Sequence, residues 1–554
     1  MKRSIIKTAI LWPATLLILL AGVVLCQDRS TTSPLVIFHL DLNSVSLRKD
    51  YIEQWLRKAS AMGYNAVLWE VEGKVKWETC PESVSPDAFS KEQFRELLAY
   101  SRQLGLEPIP LLQTLGHAEY VLQQSPYVTF RERADRYDCY CTSNQEVRKF
   151  LTKWIAEYCN LFGEIRYFHL GGDEAYVFGT CKECSPAVAK QGANKFLAEY
   201  LRDIASQLLE ARIRPCIWGD MIMKNPDDID AIPKDFVIWD WNYWDTGATP
   251  SSSMVWSLSK RLNKSSIPPG VKRSIPEILD SNGDLRSFYV CDFLDQKGFD
   301  VVACSSSRSH GDGVFAGRHK VHAGNVIEGS RKCAQLGLLG SCVTSWAVRL
   351  SNYETQEPWL WLAPLTVSRP GISDDSLLSL VSSKLFGVQG TEFFDAISDI
   401  GYAFPFASEN STGILWTGMK DMRPAPKGYL KTLIEKWKSE GTWEARRKKV
   451  LRADSIVTSG TQRLQKFLVR ATRGYDVMYQ WSLTAHYQLW QAAIAQAVVR
   501  LADSTDRAKD DELVTQVQTL KTKYIRWAED WMNPASARQS GGMIYDAISD
   551  YLQP

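Results

Sequence analysis

The chain has 554 residues, 45% of them hydrophobic and 23% charged, with 65 basic against 63 acidic side chains. That balance excludes a wholly disordered chain, a collagen-like fibre and a polytopic membrane protein. A net charge of +2 gives no bulk electrostatic reason to expect nucleic acid or an anionic membrane surface as partner. Tryptophan is the outlier: 20 residues, against 22 Tyr and 20 Phe. A Trp-rich chain has either a large core or a site for something flat and partly apolar, such as a sugar ring.

In chain order, Lys2, Arg3 and Lys7 precede an uncharged, mostly apolar run from Thr8 to Cys26, and a polar stretch follows. Residues 1–26 therefore read as a secretory signal peptide, with an uncleaved membrane anchor as the rival reading and an exported protein expected either way. From Pro34 to about Pro370 short apolar runs alternate with helix-length amphipathic segments. The runs are expected as strands at Leu35–Leu40, Asn65–Trp69, Glu107–Leu112, Ile165–Leu170, Ile213–Trp218, Phe236–Trp241, Asp300–Cys304 and Leu338–Trp346. Helices are expected between them, at Lys49–Met62, Phe89–Leu104, Asn144–Phe162, Ala187–Ala211, Leu285–Gly298, Asn325–Leu336 and Gln356–Val367; Asn225–Lys234 is the weakest link. Eight such βα units in a row suggest a (β/α)8 TIM barrel over residues 34–370. A doubly wound sheet is the alternative, but it usually carries a Gly-rich loop after its first strand, and His39-Leu-Asp-Leu-Asn43 is not one.

Trp244–Ser281 is rich in Ser, Pro and Gly and reads as a long loop between strands six and seven. Past Gly371 the strand signals fade. Helical patterns at Ser376–Phe386, Tyr429–Glu440, Ser459–Asp503 and Asp510–Trp531 make residues 371–554 a helical C-terminal domain. Its tryptophans, Trp416, Trp437, Trp481, Trp490, Trp527 and Trp531, are expected as packing residues. Asn263 and Asn410 stand in glycosylation sequons. Eleven cysteines follow Cys26, none beyond Cys342. Cys181-Lys-Glu-Cys184 has ligand spacing, but without a second pair a local disulfide or two plain thiols is the preferred reading. Cys139 and Cys141 are expected to pair elsewhere, if at all. His310, His319 and His322 are expected in a solvated loop, not as metal ligands.

The most informative segment is Arg166-Tyr-Phe-His-Leu-Gly-Gly-Asp-Glu174, strand four running into two glycines and two carboxylates. A strand fixes these residues at the rim where barrel sites form. Gly171 and Gly172 permit backbone angles closed to other residues, so Asp173 and Glu174 can converge on one place. Two close carboxylates push their pKa values apart, leaving one able to act as general acid and one charged.

His169-Leu-Gly-Gly-Asp173-Glu174 resembles the signature of glycoside hydrolase family 20, the β-N-acetylhexosaminidases. Gly116-His117 in Pro110-Leu-Leu-Gln-Thr-Leu-Gly-His117-Ala resembles the family's strand-three loop. The resemblance covers the barrel and is most similar to compact members without a separate N-terminal domain. It implies substrate-assisted retention, an exception to the usual two-carboxylate scheme. The 2-acetamido oxygen of the substrate would attack the anomeric carbon, giving an oxazolinium intermediate. Glu174 would protonate the leaving oxygen and later activate water, and Asp173 would hold the acetamido N–H. No cofactor and no metal is required, and the implied partner is a β-linked N-acetylhexosamine glycan.

Other expectations follow with it. His117 would tune Glu174. Trp218 ends strand five in Ile-Trp-Gly-Asp220, where the family has a wall around the acetamido methyl. Trp239 and Trp241 end strand six and share a face by strand alternation. With Asp220, Tyr243 and Trp346 they complete the expected substrate-binding set. Arg349 and Glu354 could bind hydroxyls or open the next helix. One departure stands out: many members place an Arg at the end of strand one, and this chain has none before Arg48, so Asp41 or Glu70 is the expected replacement. Two rivals remain, a two-carboxylate retaining glycosidase with Glu70, Asp220 or Asp240 as nucleophile, and a non-catalytic carbohydrate-binding barrel.

Overall fold

The computed structural model describes residues 33–43, 45–309, 312–346, 352–401, 427–504 and 511–553. The expected leader, Asn410, Trp416, His310 and Arg349 lie outside the described residues.

The fold is a (β/α)8 TIM barrel followed by C-terminal helices. Eight parallel strands close the barrel: β1 (Leu35–Asp41), β2 (Ala66–Glu70), β3 (Glu107–Leu111), β4 (Tyr167–His169), β5 (Arg214–Trp218), β6 (Val237–Trp241), β7 (Asp300–Arg308) and β8 (Gly340–Ser345). Each pairs with its sequence neighbours, and β8 returns to β1 through Leu35–Phe38 against Gly340–Val343. The strands read as nearly unbroken apolar runs because both faces are covered. One face fills the barrel with Leu35, Ile37, Ala66, Leu68, Ile109, Leu111, Cys216, Trp218, Val237, Trp239, Val302, Cys304 and Cys342. The other, with Val36, Phe38, Leu40, Val67 and Trp69, packs on the surrounding helices.

Local signals account for the helix bounds. Lys49–Met62 buries Ile52, Trp55, Leu56 and Ala59 on one stripe and stops at Gly63, whose φ is +105°. Ser90 and Gln93 form a reciprocal capping box that starts Lys91–Gln103. The segment expected as one helix over Ala187–Ala211 is three, Cys184–Gln191, Ala193–Ile204 and Ser206–Glu210, the first break falling at Gly192 with φ +85°. The weak link before β6 is a 3-10 turn, Pro226–Ala231.

The long connection Trp244–Ser281 is not a plain loop. It holds a hairpin, Ser253–Val255 against Lys260–Leu262, and a short helix, Pro269–Ser274. The helix before β8 begins at His319, six residues ahead of expectation. This corrects the reading of His319 and His322 as solvated: both are buried, because the extra turn packs them inward. His322 Nε2 lies 2.7 Å from Asp312 Oδ2, and the Trp359 indole donates to His319 Nδ1 at 2.7 Å.

In the C-terminal part the expected helix Ser459–Asp503 is two, Trp443–Leu468 and Tyr475–Asp503. The break is at Gly474, with φ +73°, where a Cβ would stand 2.4 Å from the Leu385 carbonyl oxygen. A further helix, Pro534–Leu552, was not expected. These helices dock on the loops after β1, β7 and β8. Leu47 bridges Met532, Ser46 donates its N–H to Ser536 Oγ at 3.1 Å, Phe315 stacks on Tyr487, and Trp359 meets Trp481 edge-on. Trp437, Trp481, Trp527 and Trp531 are buried, as expected of packing residues. Among the described residues no helix is long and apolar enough to cross a membrane.

Candidate active site

The barrel interior turns polar toward the C-terminal ends of the strands. His39 on β1 is fully buried, with Nε2 3.2 Å from Glu70 Oε2 and Nδ1 accepting the Ser345 N–H at 3.1 Å. Gln113 donates to Glu70 Oε1 at 3.2 Å. Burial lowers His39 to about 4, so it stays neutral near pH 7. Asp41 and Glu70, the expected replacements for the absent Arg, are therefore both buried at the mouth. Glu72 joins them. Burial, then Glu70 and Asp41, raise its carboxyl well above the usual range, and His117 opposes that rise. Glu72, Gln113 and His39 were missed from sequence. The Glu70-Val-Glu72 spacing at the end of β2 was the available signal.

Beyond β4 the chain keeps pairing with both neighbours, Thr114 N–H to the Leu170 carbonyl and Trp218 N–H to that of Gly171. It then turns through Gly171 (φ +66°) and Gly172 (φ +98°). A Cβ on Gly171 would meet Gln113 Oε1 at 2.1 Å. The loop after β3 approaches as closely: a Cβ on Gly116 would stand 2.0 Å from the Asp173 carbonyl oxygen. That contact explains Gly116-His117 as a pair, since the glycine lets the imidazole reach the carboxylates. His117 Nε2 lies 3.1 Å from Asp173 Oδ2 and 3.4 Å from Glu174 Oε2. His117 (φ +53°) and Glu174 (φ +47°) both hold the left-handed conformation, a strain of about 1–2 kcal/mol each that a functional site often stores.

Asp173 is 7% exposed, and its Oδ1 is buried without a hydrogen-bond partner among the described residues. Glu174 is half-buried, with its backbone N–H donated to Asp220 Oδ2 at 3.0 Å. The other Asp220 oxygen accepts from the Trp241 indole at 3.3 Å. Burial, and then Asp173, raise Asp220 to about 7.

The expected aromatic set divides by depth. Trp218 and Trp239 are each 1% exposed, packed edge-to-face at 5.8 Å, with His169 between them at 4.3 and 4.8 Å. Trp241, Tyr243 and Trp346 are only partly buried. Tyr243 lies 5.3 Å from Trp241 and 6.2 Å from Trp346, and Trp256 from the long insertion packs on Trp241 at 4.8 Å. Glu354, by contrast, is buried against the Tyr51 hydroxyl at 2.7 Å and serves packing behind β1.

Residues 60–254 match the description "Glycosyl hydrolase family 20, catalytic domain". Over that segment the barrel is similar to the catalytic domain of glycoside hydrolase family 20. The family 20 match spans β2 to β6 and holds His117, Asp173, Glu174, Trp218, Asp220, Trp239, Trp241 and Tyr243. Hexosaminidase D of Bos taurus is 29% identical over 217 residues, 37% of this chain and 62% of that protein. Hexosaminidase D of Homo sapiens is 27% identical over 224 residues, 38% of this chain and 46% of that protein. The chain thus covers less than two thirds of either relative. The β-N-acetylhexosaminidase of Bacteroides fragilis NCTC 9343 is 18% identical with a TM-score of 0.42, covering 60% of this chain and 65% of that one.

The CxxC pair sits in this barrel after β4. It is neither a local disulfide nor an isolated pair of thiols, because the loop after β3 brings Cys141 and Glu132 to it. Cys139 is a separate buried free thiol.

Proposed function

We propose that this chain is an exo-acting β-N-acetylhexosaminidase that removes terminal N-acetylhexosamine from β-glycosides by substrate-assisted retention. The carrying observation is Asp173. Its Oδ2 faces His117 at 3.1 Å, while its buried Oδ1 has no donor among the described residues. A buried carboxylate oxygen left open at a barrel mouth is an acceptor awaiting a donor, and the substrate's acetamido N–H is of the right kind. Asp173 orients that amide and stabilises the charge that develops on it as its oxygen attacks C1. Glu174 protonates the leaving oxygen, then takes a proton from the water that opens the oxazolinium ion. His117 touches both carboxylates and couples their charge. Trp241, Tyr243 and Trp346 form an aromatic wall for the sugar face, with Trp218 and Trp239 beneath.

The rival nucleophiles are otherwise engaged, which supports this reading over a two-carboxylate scheme. Both Asp220 oxygens and both Glu70 oxygens are in hydrogen bonds, and Asp240 faces outward to Cys291 at 3.3 Å. The charged and then apolar segment at residues 1–26 supports export as the setting.

The test is a panel of aryl β-glycosides (N-acetylglucosaminide, N-acetylgalactosaminide, glucoside, galactoside) with product stereochemistry read by NMR. Turnover confined to the two N-acetyl substrates, with retention, is expected. Near-equal turnover of the glucoside would sink the substrate-assisted reading, and binding without turnover of any substrate would favour a lectin-like barrel.

A further inference from the structure

Behind the candidate active site, four potential ligand atoms converge from two loops. Glu132 and Cys141 come from the loop after β3, Cys181 from the loop after β4, and Cys184 from the start of the helix that ends that loop. All four atoms lie within 4.8 Å of one another. Cys141 Sγ is 3.7 Å from Cys181 Sγ and 3.7 Å from Cys184 Sγ, and Cys184 Sγ is 3.3 Å from Glu132 Oε2. We propose that Glu132, Cys141, Cys181 and Cys184 form a structural zinc site that clips the two loops bearing His117 and the Asp173-Glu174 pair.

These three spacings fit the edges of a tetrahedron. With Zn–S near 2.3 Å, two thiolates on one tetrahedral zinc stand about 3.8 Å apart, and a thiolate and a carboxylate oxygen about 3.5 Å apart. A disulfide would single out one sulfur pair, whereas Cys141 is equidistant from two partners. A disulfide would also leave Glu132 unexplained. Glu132 is 3% exposed and divides its oxygens: Oε1 accepts the Thr180 and Cys181 N–H groups at 2.8 and 2.9 Å, while Oε2 faces the sulfurs. Cys184 donates its backbone N–H to Cys181 Sγ at 3.3 Å, a contact that orients and stabilises a thiolate ligand. Phe178 and Phe196, stacked at 5.7 Å, pack beside the site. Three thiolates and one carboxylate leave no open position, so the site is structural and not hydrolytic. Binding exchanges the thiol protons for Zn2+ and releases those protons to solvent.

The test begins with the purified full-length chain, never reduced, incubated with zinc chloride and freed of excess metal. One zinc per chain by elemental mass spectrometry is expected, with three sulfurs at about 2.3 Å and one oxygen in the zinc X-ray absorption spectrum. Cobalt chloride should give thiolate-to-metal charge-transfer bands in the apo chain. Cys181→Ser and Glu132→Gln should each weaken zinc binding at least about tenfold, the second without removing a thiol. A zinc-free wild type with all three thiols intact would overturn the proposal. So would a Cys141–Cys181 or Cys141–Cys184 disulfide in peptide mapping, or a zinc shell without sulfur. None of these readouts depends on the glycosidase reading.

Discussion

Glu174 donates its backbone N–H to the carboxylate of Asp220 at 3.0 Å. The proposed acid on the β4 loop is thereby held through its main chain by the end of β5, leaving its side chain to face His117. The left-handed φ of Glu174 is kept by this bond on one side and by the close approach of Gly116 on the other. Two neighbouring strands thus over-determine the position of one carboxylate.

Glu174→Gln keeps the shape and removes the proton donor. kcat on an aryl N-acetyl-β-glucosaminide should fall by about 10²–10⁴. The fall should be larger for poor leaving groups than for nitrophenol, measured as the slope of log kcat against leaving-group pKa. An unchanged rate would remove Glu174 from the mechanism.

Gly116→Ala adds a methyl where only 2.0 Å separates it from the Asp173 carbonyl oxygen. The β4 loop must move, and a displacement of about 1 Å at reacting groups can cost about 100-fold in rate. The expectation is a kcat drop of that order together with a lowered thermal midpoint, because the atoms in the way are backbone. An unchanged kcat would mean that the contact serves folding only.

Asp220 carries a pH signature. Its carboxyl is raised to about 7 in the fold, while the unfolded chain ionises near 4. Between those values the folded chain holds a proton that the unfolded chain has lost. Stability therefore falls as pH rises from about 4 to about 7. Asp220→Asn should abolish that share of the slope. Relative to wild type it should gain on the order of 1–4 kcal/mol in going from pH 4 to pH 8, read by urea unfolding at both pH values. A parallel pair of stability curves would contradict the assignment.

The aromatic set should separate by depth. Trp241→Ala and Trp346→Ala remove partly exposed wall residues, and KM is expected to rise about tenfold with the fold intact. Trp239→Ala empties a fully buried position in the barrel and should cost about 3–5 kcal/mol of stability. Calorimetry alongside kinetics distinguishes the two classes.

Asp312 tests the second buried polar cluster. Burial alone would raise its carboxyl, but His322, Arg318 and Arg308 hold it far below the usual range. Asp312→Ala removes this carboxylate from beside the fully buried Arg308. The expected loss is about 3–5 kcal/mol, by chemical denaturation.

Much of this was legible in the linear chain. The alternation of apolar runs with amphipathic segments located all eight strands, because a parallel barrel buries both faces of every strand and helices separate them. His169-Leu-Gly-Gly-Asp173-Glu174 was legible because strand, glycines and carboxylates are consecutive. Helix breaks at Gly192 and Gly474 were not: both glycines hold a positive φ that the linear pattern does not show, and at Gly474 the Leu385 carbonyl also leaves no room for a Cβ. His319 and His322 misled for a related reason: their isolated positions gave no sign of the Asp312 and Trp359 partners that bury them.

The order of strands, the two adjacent carboxylates and the expectation of a family 20 barrel come from the sequence alone, because local periodicity and a contiguous motif encode them. Only the tertiary structure decided what meets across the barrel. His117 reaches Asp173 and Glu174 from 56 residues away, counted to Asp173. Glu70 is shared by His39 and Gln113, and Cys141 joins a CxxC pair some 40 residues downstream. Such contacts arise when a closed sheet brings separate loops to one rim. Their distances depend on strand register and on side-chain room that no single segment specifies.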